Sequence, residues 1–492
     1  MNDERRAPRS APPLPHAARR RRTVAAGVRC LAAAGTLIGA APLGCSATRD
    51  PMPAPAPART SVSVAASAPR AAAPADPSAP SPTAVAPAST LAAGALDAPP
   101  DPASAALEAP PAPVEPEVPP APAESALRPE DAPYAHLFAT LRDLEQGRRK
   151  DHVRILWLGD SHGASDFWSG ALRTVLQKRF GHGGPGFVHL GYLGYRHDGV
   201  KMGAEGKWKM RPRGPATTLV TGDGVFGLGG ILFSADSGGT RAQLAVTDAA
   251  LTGKLRWDVC YRLNGPNDQV AVAVTGTPPF VLKASAEEPP GALRHTILTS
   301  EAGATLSVSP IAGAPELCGA VVEADPSARR GVVLDTLGIN GARLGTPLAW
   351  SEAAWAAELS RRAPALVVLE YGTNESGDFS VAPAIYAKHL ANVVARLRRV
   401  SLDVDCLALA PTDRHDTPDR TPLVRDAIRD AAKANGCGFW DTYETMGGRG
   451  SIGAWGRENP PRAARDGVHL TSRGYRELGL KLGDEIMHRF KP

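Results

Sequence analysis

The chain has 492 residues, room for two or three domains, and a formal net charge of +5. That charge is local: residues 1–45 hold eight arginines against Asp3 and Glu4, so they carry +6 and all that follows nets −1, and the total implies no basic face for nucleic acid. The 47 prolines crowd, with long alanine runs, into the first 130 or so residues, and almost all aromatics come later, which excludes a packed core in that first stretch.

The arginines precede an apolar, alanine-rich stretch from Val24 to Leu43, the pattern of an export signal with a positive n-region and an h-region. Arg29 interrupts it, and the strongest apolar run, Cys30–Ala41, is too short to favour a spanning helix. The stretch ends in Pro42-Leu43-Gly44-Cys45-Ser46. This resembles a bacterial lipobox, whose cysteine is lipidated, although Pro42 stands where that motif carries an aliphatic residue. Residues 1–45 are therefore expected to be a signal peptide and Cys45 a lipid anchor to a membrane. The chain is expected to be exported to the periplasm or cell envelope. Residues 46–130 read as a Pro/Ala linker without a fold of its own. Fully extended as polyproline II it would reach roughly 250 Å.

The folded region opens with a helical pattern, Tyr134 to Gln146, and a strand, Val153 to Leu158, that runs into Gly159-Asp160-Ser161-His162. Helical spacing resumes from Ser165 to Phe180 (Leu172, Val175, Leu176, Phe180). Later buried strands are expected at Gly331–Leu334, 365–370 and Cys406–Ala410, with a short one from Gly438. Helical patterns follow at Pro383–Val400 and Pro422–Asn435, and a last helix begins near Thr471 or Ser472. Strands alternating with helices imply a parallel sheet covered on its faces.

Between these parts the period changes. From about Trp208 to Glu323 only short alternating runs occur, such as Ala242–Thr247, Leu255–Leu263, Val270–Val274, Leu293–Leu298 and Ala304–Val308, separated by Gly, Pro and Asn. That is the signature of a β-sandwich or jelly roll. The expected organisation is an α/β domain in two parts, 131–200 and 331–492, interrupted by an all-β module at 201–330. Apart from Cys30 and Cys45, the cysteines are Cys260, Cys318, Cys406 and Cys437. An exported chain can oxidise them, and four cysteines allow three pairings. Pairing inside each candidate domain, Cys260–Cys318 and Cys406–Cys437, is the expectation, against four reduced buried thiols.

Four short segments carry the chemistry. Ser161 ends a strand, where catalytic groups of open α/β sheets collect. Gly338-Ile339-Asn340-Gly341-Ala342 follows a strand, and Gly341 can offer a backbone N–H in a tight turn. Tyr371-Gly372-Thr373-Asn374-Glu375 also follows a strand and places the Asn374 amide over the sheet end. In Asp466-Gly467-Val468-His469 one loop can present both polar side chains. Each block alone is ordinary turn chemistry.

In this order, each beside a suitable strand or helix, the blocks resemble those of the SGNH (GDSL-like) hydrolase family over about residues 150–200 and 331–490. The resemblance implies a three-layer, flavodoxin-like α/β fold. It implies Ser161 as nucleophile, His469 as general base and acid, and Asp466 as the group that orients the imidazole. The N–H groups of Ser161 and Gly341 and the Asn374 side chain would form the oxyanion hole. It calls for no metal and no organic cofactor. Glu375 departs from the aspartate that many relatives carry there.

The histidine after the serine, the loop Gly183–Phe187 (Gly-Gly-Pro-Gly-Phe) and a β insert before Gly341 narrow the likeness to bacterial peptidoglycan O-acetylesterases. That implies removal of O-acetyl groups from a cell-envelope glycan, with a carbohydrate-binding-like insert. The alternatives are an SGNH O-acetyltransferase or lipase-like esterase, and a non-catalytic cell-wall-binding lipoprotein. Candidate substrate-facing residues are His162, Tyr192 and Tyr195 in or beside the first loops, and Trp455 before the Asp466 loop. His182, His189 and His197 lack the spacing of a compact zinc site, and Asp413, His415 and Asp416 read as a solvated turn.

Overall fold

A computed structural model describes residues 129–235 and 239–491. The export signal, Cys45 and the linker lie outside the described residues.

Five parallel strands form one sheet in the order Val332–Gly338, Val153–Gly159, Leu366–Glu370, Asp405–Leu409 and Gly438–Trp440. By chain position this is 2-1-3-4-5, the flavodoxin-like doubly wound order. Side chains along a strand alternate between faces, and the first strand shows the consequence. Ile155 and Trp157 join one buried cluster with the helices Ala135–Glu145, Trp168–Phe180 and Ser472–Arg489. Leu156 and Leu158 join a second cluster with Glu352–Arg362, Pro383–Val400 and Arg420–Ala434. The expected three layers follow from that alternation. The helix Glu352–Arg362 is an addition to the expectation. Ser351 caps it by accepting the Ala354 N–H, and Trp355 and Leu359 are its buried face. The i, i+4 pair Trp355 and Leu359 was the available signal for it.

Residues 200–324 form two antiparallel sheets. One runs Leu293–Glu301, Lys254–Arg262, Glu316–Ala324, Leu232–Ala235, Trp208–Arg211. The other runs Val200–Glu205, Arg241–Val246, Thr305–Ala312, Gln269–Val274, Phe280–Lys283. They share an apolar cluster in which Trp257, Leu317 and Val322 meet Leu244, Val272 and Leu306. The boundary near residue 200 is not sharp. Gly186–Val188 already pairs with Glu316–Ala324, and Phe187, Phe233 and Val321 belong to the cluster that also covers the parallel sheet. Both expected disulfides are present: Cys260–Cys318 ties neighbouring antiparallel strands, and Cys406–Cys437 ties the fourth parallel strand to the residue just before the fifth.

Charge also joins the two parts. Arg154, on the first parallel strand, donates to Glu323 on an antiparallel strand at 2.8 Å. Arg362 lies 2.9 Å from Glu323 and 2.8 Å from Asp335, and all four side chains are buried. Removing one member would leave an uncompensated buried charge, which costs several kcal/mol on the order of 3–5.

Candidate active site

In this strand order the chain direction across the sheet reverses between the first strand and Leu366–Glu370, and crevices form there. Gly159 pairs with both Gly338 and Glu370, so three strand ends are level at that point. Ser161 follows the first, Gly341 the second and Asn374 the third.

The loop before the C-terminal helix reaches the same point. The Ser161 hydroxyl lies 2.8 Å from His469 Nε2, and His469 Nδ1 lies 2.8 Å from Asp466 Oδ2. Asp466 Oδ1 accepts the N–H groups of Val468 and His469, each at 2.9 Å, so the carboxylate shapes its own loop. Gly467, at φ +71°, makes the turn. Partial burial alone would raise the Asp466 carboxyl. The two N–H donors and the imidazole outweigh it and hold the group at about 2, ionised at any ordinary pH.

The loop is braced from outside. Gly467 accepts the His415 N–H at 2.9 Å, and Arg414 donates to the Thr373 carbonyl at 2.7 Å. The turn 413–416 is therefore only partly solvated. Asp413 is buried and accepts the Ile452 N–H, which corrects the sequence expectation.

Ser161 N and Gly341 N meet no protein acceptor among the described residues. Gly341 has φ +79°, and a Cβ there would meet the Ala216 side chain at 3.3 Å. Asn374 Nδ2 donates to Asp160 Oδ2 at 3.2 Å and to the Ala342 carbonyl at 3.0 Å. Glu375 is buried beneath this turn and accepts the N–H groups of Leu344 (2.7 Å) and Gly372 (3.0 Å). It holds the second and third loops together, a job its length suits.

Below the serine lies an acid pair. Asp160 and Glu370 are both buried, and Glu370 Oε2 accepts the Asp160 N–H at 3.2 Å. Burial pushes the Asp160 carboxyl well above its ordinary value. Burial and then the Asp160 charge push Glu370 well above its ordinary value. Glu370 escaped the sequence reading. The available signal was an acid closing an otherwise apolar buried strand, which demands a partner.

Three candidate substrate-facing residues take other places. His162 is 0% exposed and lies under the His469 ring, so it cannot line a cleft. Trp455 is 4% exposed, packed in the core with the Arg462 guanidinium 4.0 Å from its ring centroid. No sugar can reach it. Tyr195 is buried, and its hydroxyl accepts the Asn340 N–H at 3.2 Å, so it steadies the turn that carries Gly341. Tyr192 is partly exposed and stacks on Phe233. Side-chain direction, which composition does not encode, decided these outcomes.

The loop histidines do not converge. His182 pairs with Asp248 at 2.7 Å, His189 is caged by Phe187, Tyr195 and Phe233, and His197 bonds the Asp198 carbonyl. Among the described residues one trio has metal-ligand spacing, Cys260, His295 and Glu358, but Cys260 is in a disulfide and His295 bridges Asp258 and Glu358.

Residues 298–477 match the family model of the GDSL-like lipase/acylhydrolases. The chain carries a GDSL-like acylhydrolase domain. The matched span includes Gly341, Asn374, Asp466 and His469 of this GDSL-like domain; it begins within the antiparallel strand Leu293–Glu301, long after Ser161. A solved peptidoglycan O-acetylesterase is similar at 26% identity and TM-score 0.60, over 72% of this chain and 95% of that one. A family two carbohydrate esterase from Clostridium thermocellum, solved with cellohexaose, has 11% identity and TM-score 0.26, over 52% of this chain and 94% of that one. The second likeness is too distant to bear on this GDSL-like chain. No curated protein matches it.

Proposed function

We propose that this GDSL-type esterase removes O-acetyl groups from a bacterial cell-envelope glycan, peptidoglycan first, through an acetyl-enzyme on Ser161. The observation that carries the reading is the unbroken relay Ser161 Oγ to His469 Nε2 to Asp466 at 2.8 Å and 2.8 Å. The similarity to a peptidoglycan O-acetylesterase supports the substrate class.

The chemistry follows from that geometry. His469, with its proton on Nδ1 facing Asp466, accepts the Ser161 proton on Nε2 as Oγ attacks the acetyl carbonyl. The oxyanion takes the free N–H groups of Ser161 and Gly341, and Asn374 exchanges one of its two bonds for it. The C–O bond to the sugar breaks, and the imidazolium returns its proton to the leaving sugar hydroxyl. Water, deprotonated by His469, then attacks the acetyl-serine, releasing acetate and restoring the serine. A glycan hydroxyl in place of that water would make the same site a transferase.

A polymer needs more surface than an acetyl group, and the antiparallel part offers some. Its loop 212–222 lies on the oxyanion turn, with Thr346 Oγ1 donating to the Ala216 carbonyl at 3.3 Å. On that loop Leu219 is 74% and Val220 69% exposed. We further propose that the chain is exported and anchored through lipid on Cys45. The arginine-rich start, the apolar run ending at that cysteine and two disulfides support this.

The test is acetate release from O-acetylated peptidoglycan by wild type and Ser161→Ala, with and without a glycan acceptor. Release that survives Ser161→Ala sinks the mechanism, and acetate moving to the acceptor makes the enzyme a transferase. Mass spectrometry of the native N-terminus should find diacylglycerol on Cys45; an unmodified start elsewhere refutes the anchor.

A further inference from the structure

His469 needs more than its two hydrogen bonds. Its side chain is 39% exposed and sits on a surface loop. Bonds at Nδ1 and Nε2 and the covalent link through Cβ set the mean position of the ring, and on an exposed loop the ring can still tilt about it. A rocking ring misaligns the Nε2 lone pair with the serine hydroxyl, and small misplacements cost much of the rate. A contact against the flat face limits this motion.

That contact is the ring of His162. Its centroid lies 5.1 Å from that of His469, with the planes 26° apart. His162 is itself fully buried and held on several sides. Its N–H donates to Asp160 Oδ1 at 2.9 Å, and its Nδ1 lies 3.1 Å from the Tyr475 hydroxyl. The Tyr475 ring meets it edge-on at 5.5 Å and 80°. Among the described residues its Nε2 has no partner, so the ring cannot relay a proton from Tyr475 to a second group. Because it directly follows Ser161, the nucleophile and the plate behind its base share one rigid turn. We propose that His162 is a positioning residue: its buried flat ring, locked by Tyr475, sets the plane of His469 against Ser161. The inference rests on the Ser161–His469–Asp466 reading above.

Neutrality is part of the arrangement. Burial, then the neighbouring His469, pushes His162 down to about 3. During the reaction the His469 imidazolium therefore meets the face of an uncharged ring, an attractive contact, and not a second cation.

The experiment compares a flat with a non-flat replacement in the full chain, with steady-state kinetics on an aryl acetate. His162→Leu keeps the site filled but offers no plane, and His162→Phe restores one. His162→Leu should lower kcat about 10–100-fold with KM within twofold, and His162→Phe should recover kcat to within about fivefold of wild type. Melting temperatures identify any variant that fails to fold; if His162→Leu does so, His162→Ala takes its place with the same expected split. Full kcat in the non-flat variant, a loss confined to KM, or an equal loss in His162→Phe overturns the proposal. Ser161→Ala run alongside separates the two failures: activity there removes the triad reading, whereas an inert Ser161→Ala beside an unimpaired His162→Leu removes only this inference.

Discussion

Ser161, Gly341, Asn374, Asp466 and His469 all belong to the parallel-sheet part, and three of them follow strand ends that are level with one another. Among the described residues, the two antiparallel sheets place no polar group in that cluster. They reach it through one loop, 212–222, resting on the turn of Gly341. The difference teaches how a fold separates two tasks. Bond-making groups need sub-ångström placement, which strand ends and buried braces supply. A surface for a polymer needs area and shape, and a loop can carry it at lower precision. The shared core and the Arg154–Glu323–Arg362–Asp335 network nonetheless hold the two parts as one body, so the loop has a fixed platform.

The largest effects should come from the parallel part and appear on every ester. Ser161→Ala and His469→Ala should each cut kcat on an aryl acetate by about 10⁴-fold or more; retention of a tenth of the activity would break the division of tasks. Asn374→Ala should cost about 10²–10³ in kcat with little change in KM. Because its amide is also bonded to Asp160 and Ala342, a crystal structure of the variant should show whether the turn has kept its place.

The antiparallel part should show a smaller effect on polymer alone. Leu219→Ser with Val220→Ser should raise KM for acetylated glycan about 5–10-fold, about the value of one lost apolar contact. The aryl acetate kinetics should stay as they are. Equal loss on both substrates would mean that the loop serves the oxyanion turn and not the polymer.

The smallest effect concerns the opposite end of the parallel sheet. Burial pushes the Asp405 carboxyl up to about 7, although it accepts the Leu137 N–H at 2.7 Å. An unfolded aspartate ionises near 3.9. Between the two values the unfolded chain binds fewer protons than the folded one, so this group's contribution to stability falls as pH rises from about 4 to 7. Asp405→Asn lacks that loss. Its melting temperature relative to wild type should rise by a few degrees between pH 4.5 and 7.5, with kcat unchanged. A pH-independent difference would mean that Asp405 is ionised in the folded protein.

Much of the framework was legible in the chain itself. Buried parallel strands read as unbroken apolar runs, and the half-buried ones alternate, because each element's period records which of its faces meets the core. The strand ends, the turn residues after them and the start of the last helix at Thr471 are local properties. What local pattern does not contain is depth. His162, Trp455 and Asp413 each follow a turn signal or stand beside a polar loop, yet all are buried. Their burial is decided by partners such as Tyr475, 313 residues from His162 along the chain. The same holds for Asp160 meeting Glu370 and for Gly186–Val188 joining an antiparallel sheet before the expected boundary. Sequence specifies which backbone each segment prefers; only closure of contacts between distant segments decides which polar groups stay wet and which become the buried supports of a reactive one.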